Sequence, residues 1–145
     1  MSLYLDASVL LPTLVDEGSS EAVDALMERL DSAPVVSDFA VGEVASALSR
    51  LVRMRHLDAS DVRARLSDFD AWRATDSVPQ DIEPADIRLA AVFVRRLELG
   101  LRMPDAVHAA LCRRLGHMLV TLDVRLAGAA SALGIEILIP SQPYP

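Results

Sequence analysis

Short apolar runs without polar alternation constrain this chain more than any other feature. Residues 3–5, 118–121 and 135–139 are such runs, and each adjoins a helical stretch. A strand that is apolar on both sides is buried on both sides, as in parallel sheets covered by helices on each face. A shorter run at 33–36 and a weak one at 77–79 bring the set to five. Pro79 cannot donate to a ladder, so the weak run belongs at an edge. The pattern predicts an α/β fold: a single-domain α/β/α sandwich with a central parallel β-sheet.

The helices between these runs follow from spacing and punctuation. Residues 9–15 read as a short helix with Pro12 tolerated in its first turn. Ser20 is placed to cap a second helix over 21–30. A third, over 39–55, carries an apolar face of Val41, Val44, Ala45, Leu48, Leu51 and Val52. A fourth runs over 57–72, and a fifth over 84–99 until Gly100 stops it. Met103, Pro104 and Asp105 open a sixth, which ends at Gly116. A seventh spans 124–133 before Gly134.

At 145 residues the chain holds one domain, read as 1–140 with a short tail over 141–145. A hydrophobic fraction of 52% with only 4% aromatics means an aliphatic core. Mean hydropathy is +0.30, yet no apolar run approaches the roughly 20 residues a membrane span requires. No export signal is visible and Cys112 is the sole cysteine, so the expected setting is the reducing cytoplasm, without a membrane. A net charge of −7 argues against tight nonspecific binding to a nucleic-acid backbone, unless a cation gathers several acids at one place. All 14 Lys and Arg residues are Arg. No lysine is available for a phosphate loop or a Schiff base.

Ligands of such sheets bind beyond the carboxyl ends of the strands, where the strand order reverses. Asp6 follows the first strand and Asp123 the fourth. Glu43 lies in the first turns of the third helix, between the small residues Ala40 and Ala47. Asp105 opens the sixth helix. All four can reach one end of the sheet. Singly, each has a plainer reading: Asp6 as a turn residue, Asp123 as a helix cap, Asp105 as an acid favoured by the helix dipole. Together they repel one another unless cations lie between them. Carboxylate oxygens suit Mg²⁺ or Mn²⁺ better than Zn²⁺, and such a site without a protein nucleophile points to phosphodiester hydrolysis.

The wording of four segments is more specific. They are Tyr4-Leu5-Asp6-Ala7-Ser8, residues 37–48 around Glu43, Pro104-Asp105-Ala106-Val107-His108-Ala109-Ala110, and residues 119–127 around Asp123. With the ending over 133–140, these make the chain resemble the PIN-domain ribonucleases, in particular the VapC toxins of type II toxin–antitoxin (VapBC) pairs. The resemblance spans nearly the whole length. It implies a PIN-like sandwich and Mg²⁺- or Mn²⁺-dependent endoribonuclease cleavage of RNA, with one or two ions. By the same resemblance Asp6 and Asp105 are direct metal ligands, and Glu43 and Asp123 complete the shell, partly through waters. Ser8 and Thr121 are supporting hydroxyls. The implied partners are a cognate VapB-type antitoxin, an RNA substrate and a second copy of the chain, with a higher assembly in the antitoxin complex. One departure is Met103, where relatives place a small polar residue able to cap the sixth helix.

Other readings were weighed against this one. A receiver-type signalling domain needs a lysine the chain lacks. A flap-cleaving DNA nuclease needs more acids and more chain. A catalytically silent PIN module acting through protein partnership would be expected to have lost one of the four acids. His108 reads as a structural residue rather than a general base. Arg50, Arg53 and Arg55 divide evenly between solvated positions and phosphate contacts. Leu10, Leu11, Leu14 and Val15 fit either core packing or a partner groove.

Overall fold

A computed structural model describes residues 1–141. The expected tail therefore lies outside the described residues except for Ser141. Five parallel strands form one sheet in the order β3-β2-β1-β4-β5. They are β1 (Leu3–Leu5), β2 (Val35–Ser37), β3 (Val78–Gln80), β4 (Met118–Val120) and β5 (Ile137–Leu138). Seven α-helices connect them: α1 (Ala7–Leu10), α2 (Ser20–Glu28), α3 (Asp38–Arg53), α4 (Ala59–Asp76), α5 (Pro84–Val94), α6 (Met103–Leu115) and α7 (Val124–Ala132). The α/β/α sandwich predicted from the sequence is the observed architecture.

Alternation along each strand sorts the core into two layers. Tyr4, Val35 and Leu119 face a cluster built with α5, α6 and α7. Their neighbours Leu5, Val36 and Val120 face the opposite cluster, with α1 to α4. Every one of these six residues is at most 4% exposed, which explains why the strands carry no polar face. β3 is an edge strand, with Pro79 opposite Val36 in the register.

The sheet reverses its winding between β1 and β4. From β1 the chain proceeds outward through β2 to β3, then crosses back to add β4 on the other side and β5 beyond it. The β1–β4 register pairs Leu3 with Met118, Tyr4 with Leu119 and Leu5 with Val120. One more bond, from Asp6 N–H to Val120 O at 3.3 Å, carries the pairing past the last strand residue. The loops leaving β1 and β4 thus start from adjacent strand ends.

Several helix boundaries differ from the sequence expectation. The first helix begins at once after Asp6 and turns into a 3₁₀ segment at Leu11–Thr13, where Pro12 supplies no amide. Ser20 does not cap α2. Its hydroxyl instead donates to Pro12 O (2.8 Å) and Val15 O (3.1 Å) and accepts from Glu17 N (2.9 Å), closing the loop before the helix. α5 stops at Val94 rather than 99. Its buried stripe of Asp86, Ala90 and Phe93 would continue to Leu97, which is 86% exposed with nothing to cover it. A 3₁₀ turn at Leu97–Leu99 and Gly100 at φ 63° then reverse the chain toward α6. The residue preceding α6 is Arg102 and no side chain caps that end, so Met103 is the first helical residue rather than a failed cap. Of the apolar residues after Asp6, Leu10 is in the core. Leu11, Leu14 and Val15 are half-buried against it, and Leu14 also lines a surface hollow of about 290 Å³ with Met27, Phe69 and Trp72.

Candidate active site

Asp6 is 3% exposed, and both its oxygens are held by hydroxyls. Ser8 Oγ donates to Oδ1 at 2.5 Å and Thr121 Oγ1 donates to Oδ2 at 2.5 Å. Each hydroxyl in turn accepts a backbone N–H from the turn after β4: Leu122 N to Ser8 Oγ at 2.9 Å, Asp123 N to Thr121 Oγ1 at 3.0 Å. The ends of β1 and β4 are thereby stitched across the carboxylate. No cationic side chain takes part. Burial pushes the Asp6 carboxyl above its ordinary range, and the two hydroxyls offset only part of that shift.

Glu43 approaches from α3. The helix begins at Ser37, whose Oγ accepts from Ala40 N at 3.0 Å, and this cap fixes the turn that carries Glu43. Glu43 Oε1 is hydrogen-bonded to His108 Nε2. On the other side of the imidazole, Nδ1 lies 2.5 Å from Tyr4 Oη, which lies 2.7 Å from Ser37 Oγ. The ring of Phe39 packs edge-on against His108 at a centroid distance of 5.4 Å. Two surface hollows meet at Glu43. One, of about 390 Å³, includes Asp38, Phe39 and Ile82; the other, of about 560 Å³, extends along α3 past Arg50 and Arg53.

Asp105 and Asp123 supply the remaining acids. Asp123 caps α7, its Oδ1 accepting from Arg125 N (2.9 Å) and Leu126 N (3.1 Å). The plainer reading of this residue therefore holds for one oxygen, while Oδ2 has no donor among the described residues. Asp105 sits in the first turn of α6, half-buried. Among the described residues no group donates a hydrogen bond to its carboxylate. Burial raises its proton affinity first and the Asp123 charge adds to this; His108 works against them, followed by a smaller upward push from Glu43 and a smaller downward pull from Arg102. His108 is a common electrostatic neighbour of Asp6, Glu43 and Asp105. The acids thus occupy one field.

Among the described residues, no three His, Cys, Asp or Glu side chains close around a single point as a ready-made metal cage. The donor set nevertheless suits a hard cation that keeps much of its water. Mg²⁺ is commonly held by one or two carboxylates, with waters filling an octahedron. Asp105 offers an unpartnered carboxylate and Asp6 a buried one without a counter-charge. Glu43 and Asp123 each retain one oxygen with no donor among the described residues.

Tyr4, Ser37 and His108 were not singled out as site residues from the sequence. Tyr4 reads as core because it lies in an apolar run, and Ser37 as a turn residue. Only the register that sets β1 beside β2, with Tyr4 opposite Val35, brings the phenol under α3.

A family model described as PIN domain matches residues 3–131. The chain belongs to the PIN domain family. Over 143 residues this PIN domain is 29% identical to a protein named ribonuclease VapC46 of Mycobacterium tuberculosis, covering 97% of this chain and 98% of that one. It is also 29% identical over 136 residues to ribonuclease VapC3 of Pyrobaculum aerophilum, covering 92% and 98%. Among solved structures it resembles VapC20 of M. tuberculosis, described as a sarcin-ricin loop cleaving toxin (TM-score 0.72, 18% identity, 92% and 96% covered). It similarly resembles a chain of the DNA-bound VapBC complex of Salmonella typhimurium (TM-score 0.73, 13% identity, 97% and 99% covered). The structural likenesses extend over the whole PIN fold. No helix among the described residues is long and apolar enough to cross a membrane.

Proposed function

We propose that this PIN domain is a divalent-metal-dependent endoribonuclease and the toxin of a VapBC-type pair. The observation that carries the reading is Asp105. A half-buried carboxylate with no donor among the described residues, in the field of Asp123 and Glu43, is costly without a cation. Relatives named as ribonucleases over nearly the full length support the same reading.

In this reading Asp6 and Asp105 would hold Mg²⁺ or Mn²⁺ directly, and Glu43 and Asp123 would complete the shell, partly through waters. An ion held there, single or one of a pair, would supply Lewis-acid polarisation of a phosphodiester and a bound water of lowered pKa. The protein's share is preorganisation. Ser8 and Thr121 hold both Asp6 oxygens in place and keep them from rotating. Asp123 is fixed by the amides it caps, and Glu43 by its bond to His108. A VapB-type antitoxin, a second copy of the chain and a cytoplasmic setting follow from the same reading, and similarity to chains of antitoxin-bound complexes supports the first.

The test is RNA cleavage by the purified protein with Mg²⁺ or Mn²⁺. Asp105→Asn is expected to lower the rate at least 10²-fold, the order lost when one charge-stabilising group is removed from a catalytic site, while the fold survives. Failure of the wild type to cut RNA with either ion, or undiminished cleavage by Asp105→Asn, would sink the reading.

A further inference from the structure

We propose that Ser37, Tyr4 and His108 form a one-way hydrogen-bond chain that positions Glu43. The inference rests on the reading of Glu43 as part of a cation site. The direction of each bond follows from what the groups can donate. A carboxylate only accepts, so His108 Nε2 carries a proton toward Glu43 Oε1. In a neutral imidazole Nδ1 is then an acceptor, and the Tyr4 hydroxyl, 2.5 Å away, donates to it. With its proton committed, Tyr4 Oη accepts from Ser37 Oγ at 2.7 Å. Ser37 Oγ, having given its proton, accepts from Ala40 N at 3.0 Å. The series runs from a backbone amide of α3 through three side chains to Glu43, and every proton is used once.

The reverse order does not close. If His108 donated from Nδ1, Tyr4 would donate to Ser37. Ser37 Oγ would then receive both that proton and the Ala40 amide, leaving its own proton without an acceptor among the described residues. Ser37 and Tyr4 are both 0% exposed and His108 is 2% exposed, so water cannot supply one. Phe39 packs edge-on against the imidazole at a centroid distance of 5.4 Å, limiting its freedom to turn.

Glu43 is thereby left with one oxygen committed to His108, and Oε2 has no donor among the described residues. Tyr4 lies in β1 and Asp6 directly follows that strand, so β1 delivers one acid and indirectly orients another. Neither Tyr4 nor Ser37 touches reacting atoms in this scheme. Both are positioning residues.

The first measurement needs no variant: long-range ¹⁵N–¹H correlation of the histidine rings in metal-free wild type at neutral pH. The expected result is His108 with Nε2 protonated and Nδ1 bare, apart from His56 and His117. An Nδ1-protonated ring, or one protonated on both nitrogens, overturns the proposal. The second is Mn²⁺ binding by calorimetry to wild type, Tyr4→Phe, His108→Gln and His108→Phe, each checked for folding by circular dichroism. Tyr4→Phe removes one oxygen from the core and is expected to weaken Mn²⁺ binding roughly 3- to 10-fold, the scale of one lost buried hydrogen bond. The same variant should mix the tautomers of His108. His108→Phe should weaken binding more, and His108→Gln, which restores a donor toward Glu43, should recover part of the loss. A folded Tyr4→Phe with unchanged Mn²⁺ affinity and an unchanged His108 spectrum overturns the chain. Wild type that binds Mn²⁺ with the expected tautomer but cuts no RNA defeats the nuclease reading while supporting the chain.

Discussion

Two aspartates in this protein are almost wholly buried, and they are stabilised in opposite ways. Asp86, at the start of α5, is 0% exposed and grips Arg114 with both oxygens, Nε to Oδ1 at 2.6 Å and Nη2 to Oδ2 at 2.9 Å. Its Oδ2 also accepts from Glu83 N at 2.9 Å, closing a capping box. Burial works to raise the Asp86 carboxyl, but the Arg114 bonds, the Glu83 amide and the Arg114 charge outweigh it, and the net effect is downward. Asp6, 3% exposed, has two hydroxyls and no cation, and it is held upward. The chain can neutralise a buried carboxylate when structure requires it. At Asp6 it leaves the charge open, as expected for a group whose cation arrives from solution.

The largest expected effect separates the two residues directly. Arg114→Met strands the Asp86 charge and should cost about 3–5 kcal/mol in urea unfolding at neutral pH. Asp6→Asn, in chelator, removes a charge that has no protein counter-ion, and should change stability by no more than about 1 kcal/mol. Equal losses in the two variants would end the distinction. Mn²⁺ gives a somewhat smaller effect. At about 100 times its dissociation constant it should stabilise wild type by about 2.7 kcal/mol, and much less in Asp6→Asn.

Acid dependence has opposite signs at the two places. Asp86, held below its ordinary value of 3.8, contributes stability that is present above that pH and lost as pH falls through its folded value. Asp6 and Asp105, held above 3.8, contribute stability present below that pH and lost as pH rises through their folded values. In chelator, thermal midpoints of wild type should therefore decline on the rising-pH side of 3.8, and Asp6→Asn should flatten that limb. A limb that keeps its slope in Asp6→Asn would remove Asp6 as its source. The smallest effect is local: Thr121→Val deletes one bond to Asp6 and one from Asp123 N, and should cost about 1–2 kcal/mol in the same unfolding measurement.

The sheet and the placement of the acids were legible because they rest on sequence-local signals. Apolar triplets mark strands, and Asp6 and Asp123 follow two of them by one and three residues. The pairings were not legible. Arg114 and Asp86 are separated by 28 positions on two helices, and nothing in one sequence selects this arginine from 14. Tyr4 and His108 are 104 positions apart and meet only once the register is set. The end of α5 falls short of the sequence expectation because helical spacing continues to Leu97 while the surface that would cover it does not. Ser20 has the chemistry of a cap but lies close enough to the Pro12 and Val15 carbonyls to be drawn there.

The crossover from β3 back to β4 divides the molecule along its sequence. Residues before the loop at 81–83 supply three adjacent strands and most of one core layer; residues after it supply two strands and most of the other. Asp6 and Glu43 fall in the first segment, Asp105 and Asp123 in the second. A chain cut within that loop would yield two fragments, each carrying half of the carboxylates and half of the β1–β4 seam. Neither fragment alone holds all four acids of the proposed cation site, so reconstitution of metal binding from the two would report their reassociation.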